Sequence, residues 1–293
     1  VGDRPIEVPA GWERLDLDRL HGMVLVIGAP DSGKTTLARY LYAELAIRGQ
    51  QVAFLDGDPG QSSFGVPTTM TVALNQGGEP TFPPRGPRWQ RFIGSITPAG
   101  HMLPVLVGAC RLVQQARRAG ADVILYDTSG LVDPAHGGAA LKMAKIDLLQ
   151  PPTVIAVQRR SELEGILLPL RRSSATHLVE LPPAPAARRR ERGERQAYRR
   201  AMYAGYFQDA VPLSVKLGDF AVVPASERFV RHRILALEDV GGFVLGLAVA
   251  LEDHVRERRW TVLTPLGSLE KVDMLRLGDV ALDPDSWMDR FLR

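Results

Sequence analysis

Met23-Val24-Leu25-Val26-Ile27 runs without a polar side chain into Gly28-Ala29-Pro30-Asp31-Ser32-Gly33-Lys34-Thr35-Thr36, and Leu37, Leu41 and Leu45 then recur every fourth residue as far as Gly49. A short apolar run predicts a buried strand, leucines four apart predict one face of a helix, and a glycine predicts its stop. The nine residues between them have the spacing G-x-x-x-x-G-K-[S/T] of a phosphate-binding loop, in the strand-to-helix setting that this chemistry needs. The glycines allow successive backbone N–H groups to form a concave nest for phosphate oxygens, and the positive end of the following helix adds to it. Lys34 is expected on the β/γ-phosphates and the Thr35 hydroxyl on Mg²⁺. Gly28, Asp31, Ser32, Gly33, Lys34, Thr35 and Thr36 form the expected nucleotide-binding set.

Outward from this loop, apolar strand patterns at 51–55, 122–126, 153–157 and 176–181 alternate with helical patterns at 103–119 and 138–149. Such alternation predicts an α/β P-loop NTPase with a doubly wound, mostly parallel sheet. Residues 80–91, rich in Pro, Gly and Arg, read as a loop. After about residue 210 the pattern changes to strands at 229–237, 243–251 and 259–263 with Gly or acidic turns between them, a small C-terminal β domain. The expected partition is a leader at 1–21, a P-loop domain at 22–210 and a β domain at 211–293.

Two further strand ends are acidic. Asp56 and Asp58 follow the second strand in Leu55-Asp56-Gly57-Asp58-Pro59-Gly60-Gln61, on the sheet edge where ligands bind in parallel folds. Phosphoryl transfer to an alcohol needs Mg²⁺ and a carboxylate that takes the hydroxyl proton. One aspartate would orient the nucleophile while the other serves the metal. The next strand ends in Tyr126-Asp127-Thr128-Ser129-Gly130, so Asp127 competes with Asp58 for the metal, alongside Thr35.

Composition narrows the class. Of 293 residues, 45% are hydrophobic and 24% charged, as in ordinary globular proteins. Cys110 is the sole cysteine, which excludes an intrachain disulfide and favours a reducing, cytoplasmic setting. No uncharged apolar run reaches the roughly 18–20 residues of a membrane span, and Val1 to Arg14 has no signal-peptide pattern. The net charge is +3, yet 31 of the 36 basic residues are arginine; the lysines are Lys34, Lys142, Lys145, Lys216 and Lys271.

Arginine is concentrated at Arg188, Arg189, Arg190, Arg192, Arg195, Arg199 and Arg200, with Glu191 and Glu194 the only acidic residues of that stretch. As a helix, the pairs Arg188/Arg192 and Arg195/Arg199 would each share a face. Arginines on a lid at about 184–208 would steady a transferring phosphoryl group or hold a polyanion.

Taken together, the loop Gly28–Thr36, the Asp56-x-Asp58-x-Gly60-Gln61 segment, the Thr128-Ser129-Gly130 turn and Arg195-x-x-x-Arg199 ahead of Tyr203 resemble the P-loop polynucleotide 5′-hydroxyl kinases of RNA processing. The resemblance spans roughly residues 22–210. It implies an ATP- and Mg²⁺-dependent kinase acting on RNA or DNA with a 5′-hydroxyl end. By the same resemblance Asp56 orients that hydroxyl, Gln61 joins the nucleotide site, Thr128, Ser129 and Gly130 form a clasp over the nucleotide, and Arg195 and Arg199 act from the lid. Two alternatives remain at this point: an ATP-binding assembly protein without turnover, and a small-molecule kinase on the same scaffold.

Overall fold

The computed structural model describes residues 8–185, 187–225 and 228–292; residues 1–7 of the expected leader and Ala186 of the expected lid lie outside them. The chain forms two units, one of residues 1–58, 71–88 and 98–190, the other of residues 59–70, 89–97 and 191–293. The division does not fall at residue 210. The arginine-rich helix groups with the C-terminal strands because its apolar face, Tyr203 and Phe207, joins their core.

In the first unit the elements run α1 (Ala10–Glu13), β1 (Gly22–Gly28), α2 (Lys34–Ile47), β2 (Val52–Gly57), β3 (Thr69–Leu74), β4 (Arg88–Phe92), α3 (Met102–Arg118), β5 (Val123–Thr128), α4 (Gly138–Leu149), β6 (Thr153–Val157), α5 (Glu164–Arg171) and β7 (His177–Leu181), with β3 and β4 straddling the division. The sheet order is β4-β3-β2-β5-β1-β6-β7. β2, β5, β1, β6 and β7 are mutually parallel, while β3 runs antiparallel to β2. β2, β5 and β6 are buried throughout, as expected of parallel strands covered by helices on both faces. Contrary to the loop expected over 80–91, Arg88–Phe92 is the strand β4. Its Arg-Trp-Gln-Arg sequence has no apolar alternation, because only Phe92 is buried.

The second unit begins its C-terminal part with α6 (Arg192–Tyr206), followed by β8 (Val211–Lys216), β9 (Ala221–Val223), β10 (Arg233–Glu238), β11 (Val244–His254), β12 (Arg259–Thr264), β13 (Met274–Leu282) and β14 (Asp289–Phe291). The sheet order is β14-β13-β10-β11-β12-β8, with β9 pairing β13. Ile234 and Ala236 pack into one core cluster and Leu235 and Leu237 into another, so alternate residues of β10 feed opposite faces. Among the described residues no helix is long and apolar enough to cross a membrane.

Candidate nucleotide and phosphoryl-transfer site

Strand register assembles the first unit's site. β1 and β5 pair Val26 with Asp127, so the phosphate loop leaves β1 just beyond Asp127. β2 and β5 pair Asp56 with Asp127 and Gly57 with Thr128. Three strands therefore bring the loop, the Asp56–Asp58 segment and the Thr128–Gly130 turn to one carboxyl edge of the sheet, where open α/β folds bind ligands.

Within the loop, Gly33 at φ +89° caps the first turn of α2, a left-handed geometry suited to glycine. Lys34 is buried and its Nζ donates to the Ala29 carbonyl at 2.7 Å. Burial lowers the Lys34 pKa, against the pull of Asp127, Asp58 and Asp31. Thr35 Oγ1 donates to Asp127 Oδ2 at 2.6 Å. Burial pushes the Asp127 carboxyl up to about 7, opposed by Lys34 and by the Thr35 hydrogen bond. Asp56 is buried beside it, and one Asp56 carboxylate oxygen accepts from the Asp58 backbone N–H at 3.3 Å.

Asp31 is engaged by its own neighbours. Its carboxylate accepts from the backbone N–H and Nε of Arg190 at 3.0 and 2.9 Å. Arg159 donates from one guanidinium nitrogen to both the Asp31 carbonyl and the Ala187 carbonyl. Arg190 thus ties the start of the arginine patch to the phosphate loop. Arg188 lies ahead of α6, whose first turn is closed by a capping box between Glu191 and Glu194, so the pair Arg188/Arg192 shares no helix face.

The Thr128–Gly130 turn lies against the loop: a Cβ on Gly130 would come within 2.7 Å of Pro30 Cα, a position open to glycine alone. Buried with no hydrogen-bond partner among the described residues are Asp127 Oδ1, Ser129 Oγ and Ser32 Oγ. These orphaned oxygens, with the Thr35 hydroxyl, are hard donors of the kind Mg²⁺ takes beside nucleotide phosphates. The residues fit Mg²⁺ and a nucleoside triphosphate.

Gln61, Arg195 and Arg199 belong to the second unit. Gln61 donates to the Arg195 backbone carbonyl at 3.3 Å. Arg199 forms a two-point ion pair with Asp289, its second contact 3.0 Å long.

Sequence reasoning missed two lysines on α4. Lys142, fully buried, donates to Thr128 Oγ1 at 2.7 Å and to the Ser129 carbonyl at 2.6 Å. Lys145 Nζ sits 4.7 Å over the Tyr126 ring without a hydrogen-bond partner among the described residues. The available signal was scarcity: in a chain that overwhelmingly uses arginine, three of the five lysines are buried in this unit.

The profile of the family described as "mRNA cleavage and polyadenylation factor CLP1 P-loop" matches residues 28–209. A protein named polyribonucleotide 5′-hydroxyl-kinase from Pyrococcus abyssi is 27% identical over 97% of this chain and 94% of its own length. One of the same name from Pyrococcus furiosus is 32% identical over 69% of this chain, a stretch that makes up 55% of that relative. Among solved structures, wild-type Clp1p in its complex with Pcf11p superposes with a TM-score of 0.68 at 16% identity, covering 92% of this chain and 77% of that one, a likeness of fold. The profile match takes in more than half the chain, from the phosphate loop through the arginine helix, and places this protein in the CLP1 P-loop family.

Proposed function

We propose that the protein is an ATP-dependent polynucleotide 5′-hydroxyl kinase that moves the γ-phosphate of ATP to the 5′-hydroxyl end of RNA or DNA, in the cytoplasm. The observation that carries this reading is the pairing of two buried carboxylates, Asp56 and Asp127, across adjacent strands, with Asp127 alone of the two bound to Thr35 of the phosphate loop. That division sets one carboxylate beside the metal-binding hydroxyl, and the other, on the neighbouring strand, is proposed to take the acceptor hydroxyl's proton. The names of the archaeal relatives make RNA the first substrate to test.

In the proposed step the 5′-oxygen bonds to the γ-phosphorus as the bond from that phosphorus to the β,γ-bridging oxygen breaks. The electron pair leaves on ADP, and the 5′-hydroxyl proton passes to Asp56. Lys34 would exchange its contact with the Ala29 carbonyl for phosphate oxygens. Thr35 and Asp127 would hold Mg²⁺, with Asp58 contributing negative charge nearby. When bound, the ion neutralises the phosphate charge that the transfer displaces. The loop's backbone N–H groups and the Thr128–Gly130 turn would orient the nucleotide. Arg195 and Arg199 are proposed, from the family resemblance, to act on the transferring phosphoryl group. The exposed Arg188, Arg189 and Arg192 offer charge for a polyanion.

The test is transfer of label from γ-labelled ATP to RNA and DNA oligonucleotides of one sequence with 5′-hydroxyl ends, with Lys34→Ala as control. Label on either strand, lost in the variant, is the expected result. ATP binding with no label on any 5′-hydroxyl end would overturn the proposal.

A further inference from the structure

We infer that Lys142 is a positioning residue for nucleotide binding, its buried amine holding the Thr128-Ser129-Gly130 turn in place against the phosphate loop. The inference rests on the proposed nucleotide site and not on phosphoryl transfer itself.

Lys142 reaches the turn from one side and β1 anchors it from the other. Its Nζ donates to Thr128 Oγ1 and to the Ser129 carbonyl, and Thr128 Oγ1 donates in turn to the Val26 carbonyl at 2.7 Å. A threonine hydroxyl has a single proton, here spent on Val26, so its lone pairs require a donor; Lys142 is that donor. The result is one chain of hydrogen bonds from α4 through the turn to the strand that launches the phosphate loop two residues later. Gly130, at the far end of the turn, lies against Pro30 of that loop. Ser129 Oγ, in the middle of the turn, is buried with no hydrogen-bond partner among the described residues.

Packing alone does not account for a lysine here. Burying an amine is costly, and methionine or leucine would fill the same space without that cost. The geometry supplies the reason for the amine: the Nζ of Lys142 donates to two acceptors of the same turn, which no apolar side chain could do.

The experiment compares Lys142→Met, Thr128→Val and the double variant in the full chain. It measures the dissociation constant of a non-hydrolysable ATP analogue by calorimetry, KM for ATP, KM for the RNA oligonucleotide, and the melting temperature. Each single change is expected to weaken analogue binding roughly tenfold or more: Lys142→Met leaves two turn acceptors without their donor, and Thr128→Val removes the hydroxyl that links Lys142 to the Val26 carbonyl. The double variant should be little worse than the weaker-binding single, because both changes cut one chain. KM for ATP should rise while KM for RNA holds, a split that general loosening of the fold would not give. Unchanged analogue binding by folded Lys142→Met, or additive losses in the double variant, overturns the inference. If Lys142→Met does not fold, Thr128→Val decides alone: unchanged binding in it counts against the inference equally. Wild-type protein that binds the analogue yet labels no oligonucleotide defeats the kinase proposal, while the binding constants still decide the role of Lys142.

Discussion

Thr35 on the phosphate loop donates its hydroxyl proton to Asp127 at the end of β5, 92 residues away, at 2.6 Å. The other oxygen of that carboxylate is buried without a partner among the described residues. A metal held by the Thr35 hydroxyl would therefore find Asp127 adjacent, whereas Asp58 influences the site through its charge. Asp127→Asn is expected to lower kcat by about 100-fold or more and to raise the Mg²⁺ needed for half-maximal activity. Asp58→Asn should do less. Mg²⁺ titrations of phosphate transfer by both variants check this, and the reverse ranking would assign the metal to Asp58.

Asp56 sits level with Asp127 across β2 and β5 and has Thr71 of β3 as its partner on the other side. As the proposed acceptor of the 5′-hydroxyl proton, it should matter for turnover and little for ATP. Asp56→Asn is expected to cost about 10²–10⁴ in kcat with analogue affinity nearly unchanged. Single-turnover transfer beside calorimetric titration separates the two; near-normal turnover would place the base elsewhere.

The first unit was legible because its strands carry their signal locally. Thr153–Val157 and Gly138–Leu149 fall where periodicity put them, since a strand buried on both faces reads as an unbroken apolar run. β3 escaped notice because Thr69-Met70-Thr71 mixes hydroxyls into a fully buried strand. In the C-terminal sheet β10 to β12 were visible, but β8 opens with exposed Val211 and Pro212, and β14 is three residues long. Such edge strands are defined by their neighbours' hydrogen bonds and not by their own composition. The same holds for the site. Lys34, Thr35, Asp56 and Asp127 are named by motif and strand end, whereas Lys142 is given its role by Thr128, a contact that no spacing rule reports.

The family resemblance implies a lid role for Arg199, and the structure pairs its guanidinium with Asp289 of β14, whose side chain is 3% exposed against 14% for the arginine. Removing one partner strands a buried charge, so Arg199→Ala should destabilise the fold by about 3 kcal/mol. The Arg199→Ala/Asp289→Ala double variant should be less destabilised than the sum of the single changes. Thermal or urea unfolding of the four proteins measures the coupling. A cycle without coupling would show that the ion pair with Asp289 does not stabilise the fold, and turnover by folded Arg199→Ala tests the proposed action on the phosphoryl group separately.

Lys145 makes a prediction about pH. Burial lowers its pKa to about 7, with only partial relief from Asp58. Above that pH the folded protein has released the proton, whereas the unfolded chain keeps it to about 10.4. The unfolded state thus binds more protons between about pH 7 and 10, and stability attributable to Lys145 rises with pH over that window, by up to about 1.4 kcal/mol per unit. Below pH 7 both states hold the proton and the burial penalty is constant. Lys142 contributes in the same direction, so the informative quantity is the difference between wild type and Lys145→Met. The variant should melt higher than wild type at pH 7, and its advantage should shrink steadily toward pH 10, because the wild-type amine is by then neutral in both states. A difference in melting temperature that stays flat from pH 7 to 10 would show that Lys145 keeps its proton in the fold, with the Tyr126 ring and Asp58 holding the charge.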